Sequence, residues 1–293
     1  MRAGIVAVIG RANAGKSTLV NVLVGEKVSI VSPKPQTTRD RILGVLTEKD
    51  YQIVFEDTPG IYKADNALNA VMQKTAERAA KDVDAVLLVV DAHAGLSETD
   101  RRLVKKYAGK DIPLVVALSK TDISAEETLI AAVRALKDEK AEIVPVSARK
   151  GTNVKELKKV LVSLLPEREP IFSQPVVSDK SERFMLGEIM REKILLKFDK
   201  EIPHGVAVIV HTFKTEGGVA EVGVDIVCEK PNHKAILIGK GGRAMKEAAS
   251  FAREDMEKLL GRKVFLTTYV RVKEDWRNRP ALLGEYGYGK SET

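Results

Sequence analysis

One stretch of sequence decides the fold of the first part of the chain: Gly10-Arg11-Ala12-Asn13-Ala14-Gly15-Lys16-Ser17-Thr18. It follows a short apolar run, residues 5–9, and opens a helical pattern, residues 16–24. Its glycines permit a tight turn whose N–H groups, together with the helix N-terminus, can surround phosphate. The order strand, glycine loop, helix predicts a phosphate-binding loop rather than a plain glycine-rich turn. Lys16 would reach the outer phosphates, and the Ser17 hydroxyl would ligate Mg²⁺.

Short runs rich in Val and Ile alternate with helical patterns through the first half of the chain. The predicted strands are residues 5–9, 52–56, 85–90, 114–118 and 142–146, and the predicted helices are residues 16–24, 66–80, 98–107, 125–137 and 154–164. Most strand runs are apolar on both faces, which is typical of a sheet covered by helices on each side. We therefore predict a doubly wound α/β domain that binds its ligand at the carboxyl ends of the strands.

A different pattern follows a proline-rich segment. Three prolines fall within residues 166–175, which indicates a linker. Beyond it the order of elements is α-β-β-α-α-β, with residues 179–197, 206–213, 219–227, 233–238, 243–260 and 263–272. The predicted organisation is a nucleotide-binding domain over residues 1–168, a linker over 169–178 and a small α+β domain over 179–293.

The composition of the 293 residues is that of a globular protein, with 44% hydrophobic and 30% charged residues. A single cysteine, Cys228, excludes a disulfide framework and a cysteine zinc site. Apolar runs are too short for a membrane span or a signal-peptide core, so we expect a cytoplasmic protein. The net charge of +7 permits a nucleic-acid partner. Residues 230–246 and 258–273 each hold five Lys or Arg and no Asp or Glu.

Three further motifs come after predicted strands. They are Asp57-Thr58-Pro59-Gly60, Ser119-Lys120-Thr121-Asp122 and Ser147-Ala148-Arg149. Asp57 would hold Mg²⁺ through water, and the Gly60 amide would sense the terminal phosphate. Each motif alone also fits an ordinary turn at a strand end. In this order after a phosphate-binding loop, they indicate a nucleotide site.

This set of motifs resembles the GTPases of the translation-factor-related superfamily. The resemblance implies that Asp122 accepts two hydrogen bonds from guanine, that the Lys120 stem packs along the base and that the Ala148 amide binds the guanine oxygen. It also implies a switch loop over residues 33–40 whose Thr38, with Thr37 as the alternative, ligates Mg²⁺ only in the GTP state. Ser119 departs from the family, which usually has Asn there. The shorter side chain is expected to lose a contact that braces the phosphate loop and so to lower nucleotide affinity.

The expected catalytic groups are Lys16, Thr38 and Gly60. Many small GTPases have a water-orienting Gln directly after that glycine, but this chain has Ile61. We therefore expect slow intrinsic hydrolysis, or a water positioned by another group. In part of the superfamily a phosphate-loop Asn ligates potassium, and Asn13 matches it. Asn13 is equally well explained as a loop residue that tolerates turn geometry, and both interpretations stay open.

A second constellation lies in the C-terminal domain, where a Gly-x-x-Gly loop connects two predicted helices. The predicted RNA-binding residues are Ile236, Ile238, Gly239, Lys240, Gly241, Gly242, Arg243 and Lys246. The loop and the order of elements around it resemble a type II KH domain, which clamps single-stranded RNA. The alternative is a glycine helix cap with a solvated charged face. Tyr269 would either stack on a base or pack, and Trp276 is predicted to anchor the small domain.

The two domains together resemble the Era family. That resemblance implies a GTPase that uses GTP, GDP and Mg²⁺, binds the 3′ end of 16S rRNA and assists maturation of the 30S ribosomal subunit. It also implies weak peripheral association with the inner membrane, no DNA partner and a monomer. Two alternatives remain. One is a GTPase of tRNA modification or membrane signalling whose second domain docks protein, and the other is an RNA-binding protein whose nucleotide is never turned over.

Overall fold

The computed structural model describes residues 1–60, 65–79 and 82–288. The chain forms two compact units. The first comprises Met1–Ser29, Thr38–Lys63 and Met72–Asp179, and the second comprises Ile30–Thr37, Ala64–Val71 and Lys180–Thr293.

The first unit is an α/β domain built on one sheet. Its strands are β1 (Arg2–Ile9), β2 (Ile42–Thr47), β3 (Tyr51–Asp57), β4 (Ala85–Asp91), β5 (Leu114–Ser119) and β6 (Glu142–Pro145). Its helices are α1 (Lys16–Val24), α2 (Ala67–Ala79, which begins in the second unit), α3 (Glu98–Ala108), α4 (Glu126–Leu136) and α5 (Val154–Leu164). The strand order is β2-β3-β1-β4-β5-β6, and every neighbouring pair is parallel except β2 with β3.

Alternate side chains of the central strands enter two separate cores, as a sheet covered on both faces requires. Val6 and Val8 of β1 pack with α1 and α5 residues, whereas Ala7 and Ile9 pack with α3 and α4 residues. The doubly wound prediction is confirmed. Strand β2, which pairs antiparallel with β3, was not among the predicted strands.

The segment predicted as a linker lies along the sheet of the first unit. The Val45 N–H donates to the Val177 carbonyl at 2.9 Å, and the Leu43 N–H donates to the Asp179 carboxylate at 2.8 Å. Residues 30–37, which the sequence-based division placed in the first domain, are grouped instead with the second unit. The cause is a set of hydrogen bonds to that unit, described below.

The second unit combines a three-stranded sheet with helices. Its strands are β7 (Ala207–Glu216), β8 (Val219–Cys228) and β9 (Lys263–Val272), and its helices are α6 (Glu182–Lys197), α7 (Pro231–Ile238), α8 (Arg243–Leu260) and α9 (Pro280–Glu285). β7 pairs antiparallel with β8, and β8 pairs parallel with β9. The predicted α-β-β-α-α-β order is confirmed, and α9 follows it. None of the helices in the described ranges is long and apolar enough to cross a membrane.

One buried aromatic side chain secures the end of the second unit. Trp276 is fully buried, and its indole N–H donates to the Gly205 carbonyl at 2.9 Å. Its ring packs against Tyr286 and Tyr288, with ring centroids 5.6 and 5.9 Å away. This is the anchoring role that the sequence indicated, because a buried indole needs a partner for its N–H.

Candidate functional site

The loop between β1 and α1 has the compact turn that phosphate binding needs. Gly10 lies at φ +147°, and a Cβ there would come within 2.3 Å of the Val89 carbonyl oxygen, so only glycine fits. The buried Lys16 side chain crosses the loop and donates to the carbonyls of Gly10 and Arg11 at 3.2 and 2.9 Å. The ammonium group is therefore held inside the predicted phosphate cradle.

Burial lowers the pKa of Lys16 to about 8, and the nearby Asp57 carboxylate offsets part of that effect. A bound phosphate would favour the charged ammonium, so binding of GDP should take up protons near this pH. We expect uptake of about half a proton at pH 8, and an affinity that falls about fourfold between pH 7 and pH 8.5. Calorimetry in two buffers of different ionisation enthalpy would measure the uptake. No uptake at pH 8 would contradict the lowered pKa.

The three predicted Mg²⁺ ligands lie in the first unit: Asp57 ends β3, Ser17 is in the first turn of α1, and Thr38 precedes β2. The hydroxyl oxygens of Ser17 and Thr38 are 2.7 Å apart. Asp57 is fully buried, and neither of its carboxylate oxygens has a hydrogen-bond partner within the described ranges. Burial raises the pKa of Asp57, although Lys16 opposes this. A buried carboxylate without partners, near hydroxyl oxygens, fits a hard divalent cation.

The turn after β3 packs tightly on the phosphate loop. A Cβ on Gly60 would come within 2.8 Å of both the Cα and the nitrogen of Ala12, so the close approach requires glycine. The Thr58 hydroxyl donates to the Val8 carbonyl at 2.9 Å, which ties the turn to β1. The Thr58 hydroxyl is thus used in a structural hydrogen bond, and the Gly60 backbone lies beside the loop. Ile61 lies outside the described residues.

A separate pair of residues forms the predicted base site. The Ser147 hydroxyl donates to the Asp122 carboxylate at 2.6 Å. This hydrogen bond lowers the pKa of Asp122, so the group is a carboxylate acceptor at neutral pH. Lys120 pairs with Asp91 at 2.6 Å. The motifs after β5 and β6 therefore come together, and Ser147 orients the group expected to read guanine.

Ser119 does not lose the brace that the sequence analysis expected it to lose. Its hydroxyl lies 2.6 Å from the Ala14 carbonyl and 3.0 Å from the Val90 carbonyl, and both contacts are buried. The expectation was wrong because the end of β5 lies close enough to the phosphate loop for the shorter side chain to reach it. The hydroxyl proton is shared between a loop carbonyl and a strand carbonyl.

Replacing Ser119 with Ala should therefore weaken nucleotide binding. The loss of one buried hydrogen bond, worth about 1 kcal/mol, corresponds to about a fivefold rise in the Kd of GDP and of GTP alike. Titration with a fluorescent GDP derivative would measure it. Ser163→Ala serves as the control, because that hydroxyl donates to the Val160 carbonyl within α5. Equal affinities of Ser119→Ala and the wild type would contradict this role.

One other loop residue, Arg11, has a contact that the sequence did not indicate. The Arg11 guanidinium pairs with the buried Asp100 at 2.9 Å, which fixes the loop to α3, where Asp100 also caps the helix with Ser97. Asn13 is exposed at φ +62°. The remaining predicted nucleotide-binding residues lie in the same loops or, for Thr18, in the first turn of α1; the loop residues are Ala12, Ala14, Gly15, Pro59, Ala148 and Arg149.

In the second unit the predicted RNA loop connects α7 to α8. Gly239 lies at φ +73°, and a Cβ there would meet the Ala244 Cβ at 2.6 Å, so the turn between the helices requires glycine. Gly241 and Gly242 also have positive φ, and Gly242 caps α8. Lys240 and Arg243 are exposed at this turn. The loop thus presents backbone and two cations at a helix N-terminus.

A cleft of about 920 Å³ opens between α7, α8 and β9. Of the eight predicted residues, three line it, namely Ile238, Gly242 and Lys246. The other five do not, namely Ile236, Gly239, Lys240, Gly241 and Arg243. Lys234, Ser250 and Arg253 also line it and were not predicted, and Phe265, Thr268 and Arg271 are among the residues that line it from the predicted strand 263–272. Lys234 and Arg271 were visible in the sequence only as members of the two acid-free segments, and Arg253 lies in neither segment. The Phe265 and Tyr269 side chains are 60% and 55% exposed in the cleft wall, as stacking on bases requires.

Comparisons with known proteins match both units. Residues 5–120 match the family described as 50S ribosome-binding GTPase, and residues 201–277 match the KH domain. GTPase Era of Alkaliphilus oremlandii is 45% identical over 295 residues, covering 98% of this chain and 99% of that protein. GTPase Era of Clostridium kluyveri is 41% identical over 291 residues, with the same coverage. The chain belongs to the Era family of GTPases.

Solved structures of Era agree with the fold of this family member. Aquifex aeolicus Era bound to GDP and AlF₄⁻ is 36% identical, with a TM-score of 0.94 over 99% of this chain and 100% of that one. A structure of Era in complex with MgGDPNP and nucleotides 1506–1542 of 16S ribosomal RNA has the same identity, TM-score and coverage. The sequence-based identification as an Era-like P-loop GTPase with a C-terminal KH domain is confirmed.

Proposed function

We propose that this Era-family GTPase binds the 3′ end of 16S rRNA in its α7–α8–β9 cleft while GTP is bound, and releases the RNA after hydrolysis. It would thereby act in biogenesis of the 30S subunit. The observation that carries this proposal is the cleft, which has exposed aromatic rings, arginines and a glycine loop. The same chain also has the predicted guanine-nucleotide site. Its support from relatives is the Era complex with a 16S rRNA segment.

The nucleotide chemistry follows from the first unit. Lys16 would bind the outer phosphates, and the side chains of Ser17, Thr38 and Asp57 would hold Mg²⁺ directly or through water. When bound, Mg²⁺ supplies positive charge that offsets the charge developing on the phosphates. The Gly60 amide, which lies beside the phosphate loop, would donate to the terminal phosphate. GTP, GDP and Mg²⁺ are thus the ligands that these residues fit.

The RNA chemistry follows from the second unit. Four cations line the cleft, namely Lys234, Lys246, Arg253 and Arg271, and they would contact the RNA backbone with a salt-dependent affinity. Phe265 and Tyr269 offer faces for unstacked bases. The combination favours a single strand over a duplex, because the rings need bases that are free to stack.

Nucleotide control of RNA binding is the part of the proposal that is easiest to test. Binding of a labelled fragment of the 16S rRNA 3′ end is measured with GDPNP, with GDP and without nucleotide, at fixed salt. We expect the tightest binding with GDPNP, and by linkage the RNA should tighten GDPNP binding by the same factor. Equal RNA affinity in all three states would remove the nucleotide control.

Potassium is proposed as a second cation of the site, ligated by Asn13. The support is the position of Asn13 in the phosphate loop together with Ile61, which offers no side-chain hydrogen bond to a water. Single-turnover hydrolysis should be faster in potassium than in sodium, and Asn13→Ala should abolish the difference while leaving GDP affinity unchanged within about twofold. Equal rates in the two salts would sink this proposal.

The proposal places the protein in the cytoplasm, where 30S particles are assembled. A monomeric state and weak peripheral association with the inner membrane stay predictions. Analytical ultracentrifugation and co-sedimentation with anionic vesicles, both on the full chain, would test them.

A further inference from the structure

The segment that precedes Thr38 is held by the second unit. Residues Ile30–Thr37 belong to that unit, whereas Thr38 belongs to the first. The Val31 N–H donates to the Glu192 carboxylate of α6 at 2.9 Å. A boundary between the two units therefore falls inside the predicted switch loop, at the peptide bond between Thr37 and Thr38.

A second contact holds the same segment further along. The Lys34 ammonium pairs with Asp199 at 2.8 Å and donates to the Phe198 carbonyl, directly after the end of α6. The Thr37 hydroxyl donates to the Lys34 carbonyl at 2.7 Å, which closes a turn. These hydrogen bonds fix the course of the loop up to the residue before Thr38.

The third contact is the most buried. The Arg191 side chain of α6 is 1% exposed and donates from Nη2 to the Thr37 carbonyl. Glu188, one turn earlier on α6, accepts from its Nε at 2.7 Å and from its Nη2 at 2.5 Å. Burial works against the charge of Arg191, but Glu188, with smaller contributions from Tyr288 and Glu192, keeps the pKa of the guanidinium above its ordinary value. The donor is therefore charged and held in one orientation before it meets the loop.

The carbonyl that Arg191 holds lies one peptide bond from the Mg²⁺ ligand. The Thr37 C=O and the Thr38 N and Cα share one planar peptide unit, so fixing the carbonyl restricts the position of the Thr38 side chain. In the first unit, the Thr38 hydroxyl oxygen lies 2.7 Å from the Ser17 hydroxyl oxygen. Thr38 as a whole residue is buried, with 7% of its surface exposed. The orientation of this peptide is thus the link between helix α6 and the Mg²⁺ site.

We propose that Arg191, although it lies in the KH-domain unit, is a positioning residue for the GTP state of the nucleotide site. It holds the peptide between Thr37 and Thr38 in the orientation that presents the Thr38 hydroxyl to Mg²⁺. The inference rests on the proposed function, in which Thr38 ligates Mg²⁺ only when GTP is bound. Without Arg191, a smaller fraction of molecules has Thr38 in place, and the apparent affinity for GTP falls by that fraction.

The test compares two nucleotides on the full chain. The Kd values of GDP and GDPNP are measured at saturating Mg²⁺ for the wild type, Arg191→Gln and Thr38→Ala. We expect Arg191→Gln to weaken GDPNP binding about tenfold and to change GDP binding less than twofold. Arg191→Lys should restore only part of the loss, because one ammonium cannot bridge Glu188 and the Thr37 carbonyl as the guanidinium fork does.

A double variant separates positioning from general damage. If Arg191 acts through Thr38, then Arg191→Gln adds no further loss of GDPNP affinity in the Thr38→Ala background. Arg277→Gln is the control, because it also removes an ion pair of the second unit, with Glu229 at 2.6 Å, away from the loop. It should leave the ratio of the two Kd values unchanged. Additive losses, or an equal loss for GDP and GDPNP, would overturn the proposal.

Two further variants, Glu188→Gln and Thr38→Ala, separate failure of the positioning role from failure of the fold or of the Mg²⁺ role of Thr38. Glu188→Gln keeps the buried guanidinium but loosens its orientation, so it should reduce GDPNP preference in the same direction if Arg191→Gln does not fold. If Thr38→Ala itself does not reduce GDPNP preference, the proposed Mg²⁺ role of Thr38 fails. If Thr38→Ala behaves as expected and neither Arg191→Gln nor Glu188→Gln changes the ratio, only the positioning role fails.

Discussion

Asp122→Asn is expected to weaken GTP binding at least about 100-fold and to create measurable affinity for xanthosine triphosphate. The Asp122 carboxylate has a lowered pKa and would accept two hydrogen bonds from guanine, each worth about 1.5–3 kcal/mol with a charged acceptor. An Asn offers one acceptor and one donor, so it leaves one guanine N–H facing an N–H. Xanthine has a carbonyl oxygen in place of the guanine amino group, and that oxygen would accept from the Asn amide. Competition titrations with both nucleotides would measure the exchange.

Ser147→Ala is the matched control for this change of base preference. It removes the 2.6 Å hydrogen bond that orients Asp122 but keeps the carboxylate. GTP affinity should fall about five- to tenfold, with no gain for the xanthine nucleotide. If Asp122→Asn lost both nucleotides equally, Asp122 would be holding the loop rather than reading the base.

The sequence predicted the ends of a helix or strand correctly where residues at those ends stop the element. Helices α1, α5 and α8 and strand β9 begin and end where the sequence predicts, because glycine turns, or the proline after α5, mark most of their ends. Strand β2 was missed, since its six residues ILGVLT contain a glycine and it neighbours one strand of the sheet, β3. No local pattern marks such an edge strand, and its place depends on the partner strand.

The site was predictable as a set of motifs but not as a set of contacts. The motif order indicated which loops would meet, because the carboxyl ends of parallel strands share one edge of the sheet. The Ser119 brace depends on a distance across that edge, and residue type alone suggested the opposite outcome. The contact of Arg191 with Thr37 joins residues 154 positions apart, and nothing in the sequence near either residue predicts it.

Gly241→Asp is expected to weaken binding of the 16S rRNA 3′ fragment at least tenfold while leaving GDP affinity unchanged. Gly241 lies at φ +59°, a conformation that Asp tolerates better than most residues, and a Cβ there meets nothing within 4 Å. The fold should therefore survive. The new carboxylate would lie between Lys240 and the N-terminus of α8, where it repels RNA phosphates and offsets a cation. Filter binding at several salt concentrations would show the loss and a shallower salt dependence.

Gly217→Asp is the closest control that the chain offers. Gly217 lies at φ +57° in the β7–β8 turn, and a Cβ there also meets nothing within 4 Å. The two variants share the added charge, the backbone conformation and the open surroundings, and they differ only in where the charge is placed. If both weakened RNA binding equally, the effect would be net charge and the glycine loop would have no specific part in it. A loss confined to Gly241→Asp would locate the RNA backbone at the α7–α8 loop. Salt screens the repulsion between a phosphate and a distant carboxylate, so only a carboxylate close to the phosphates weakens binding.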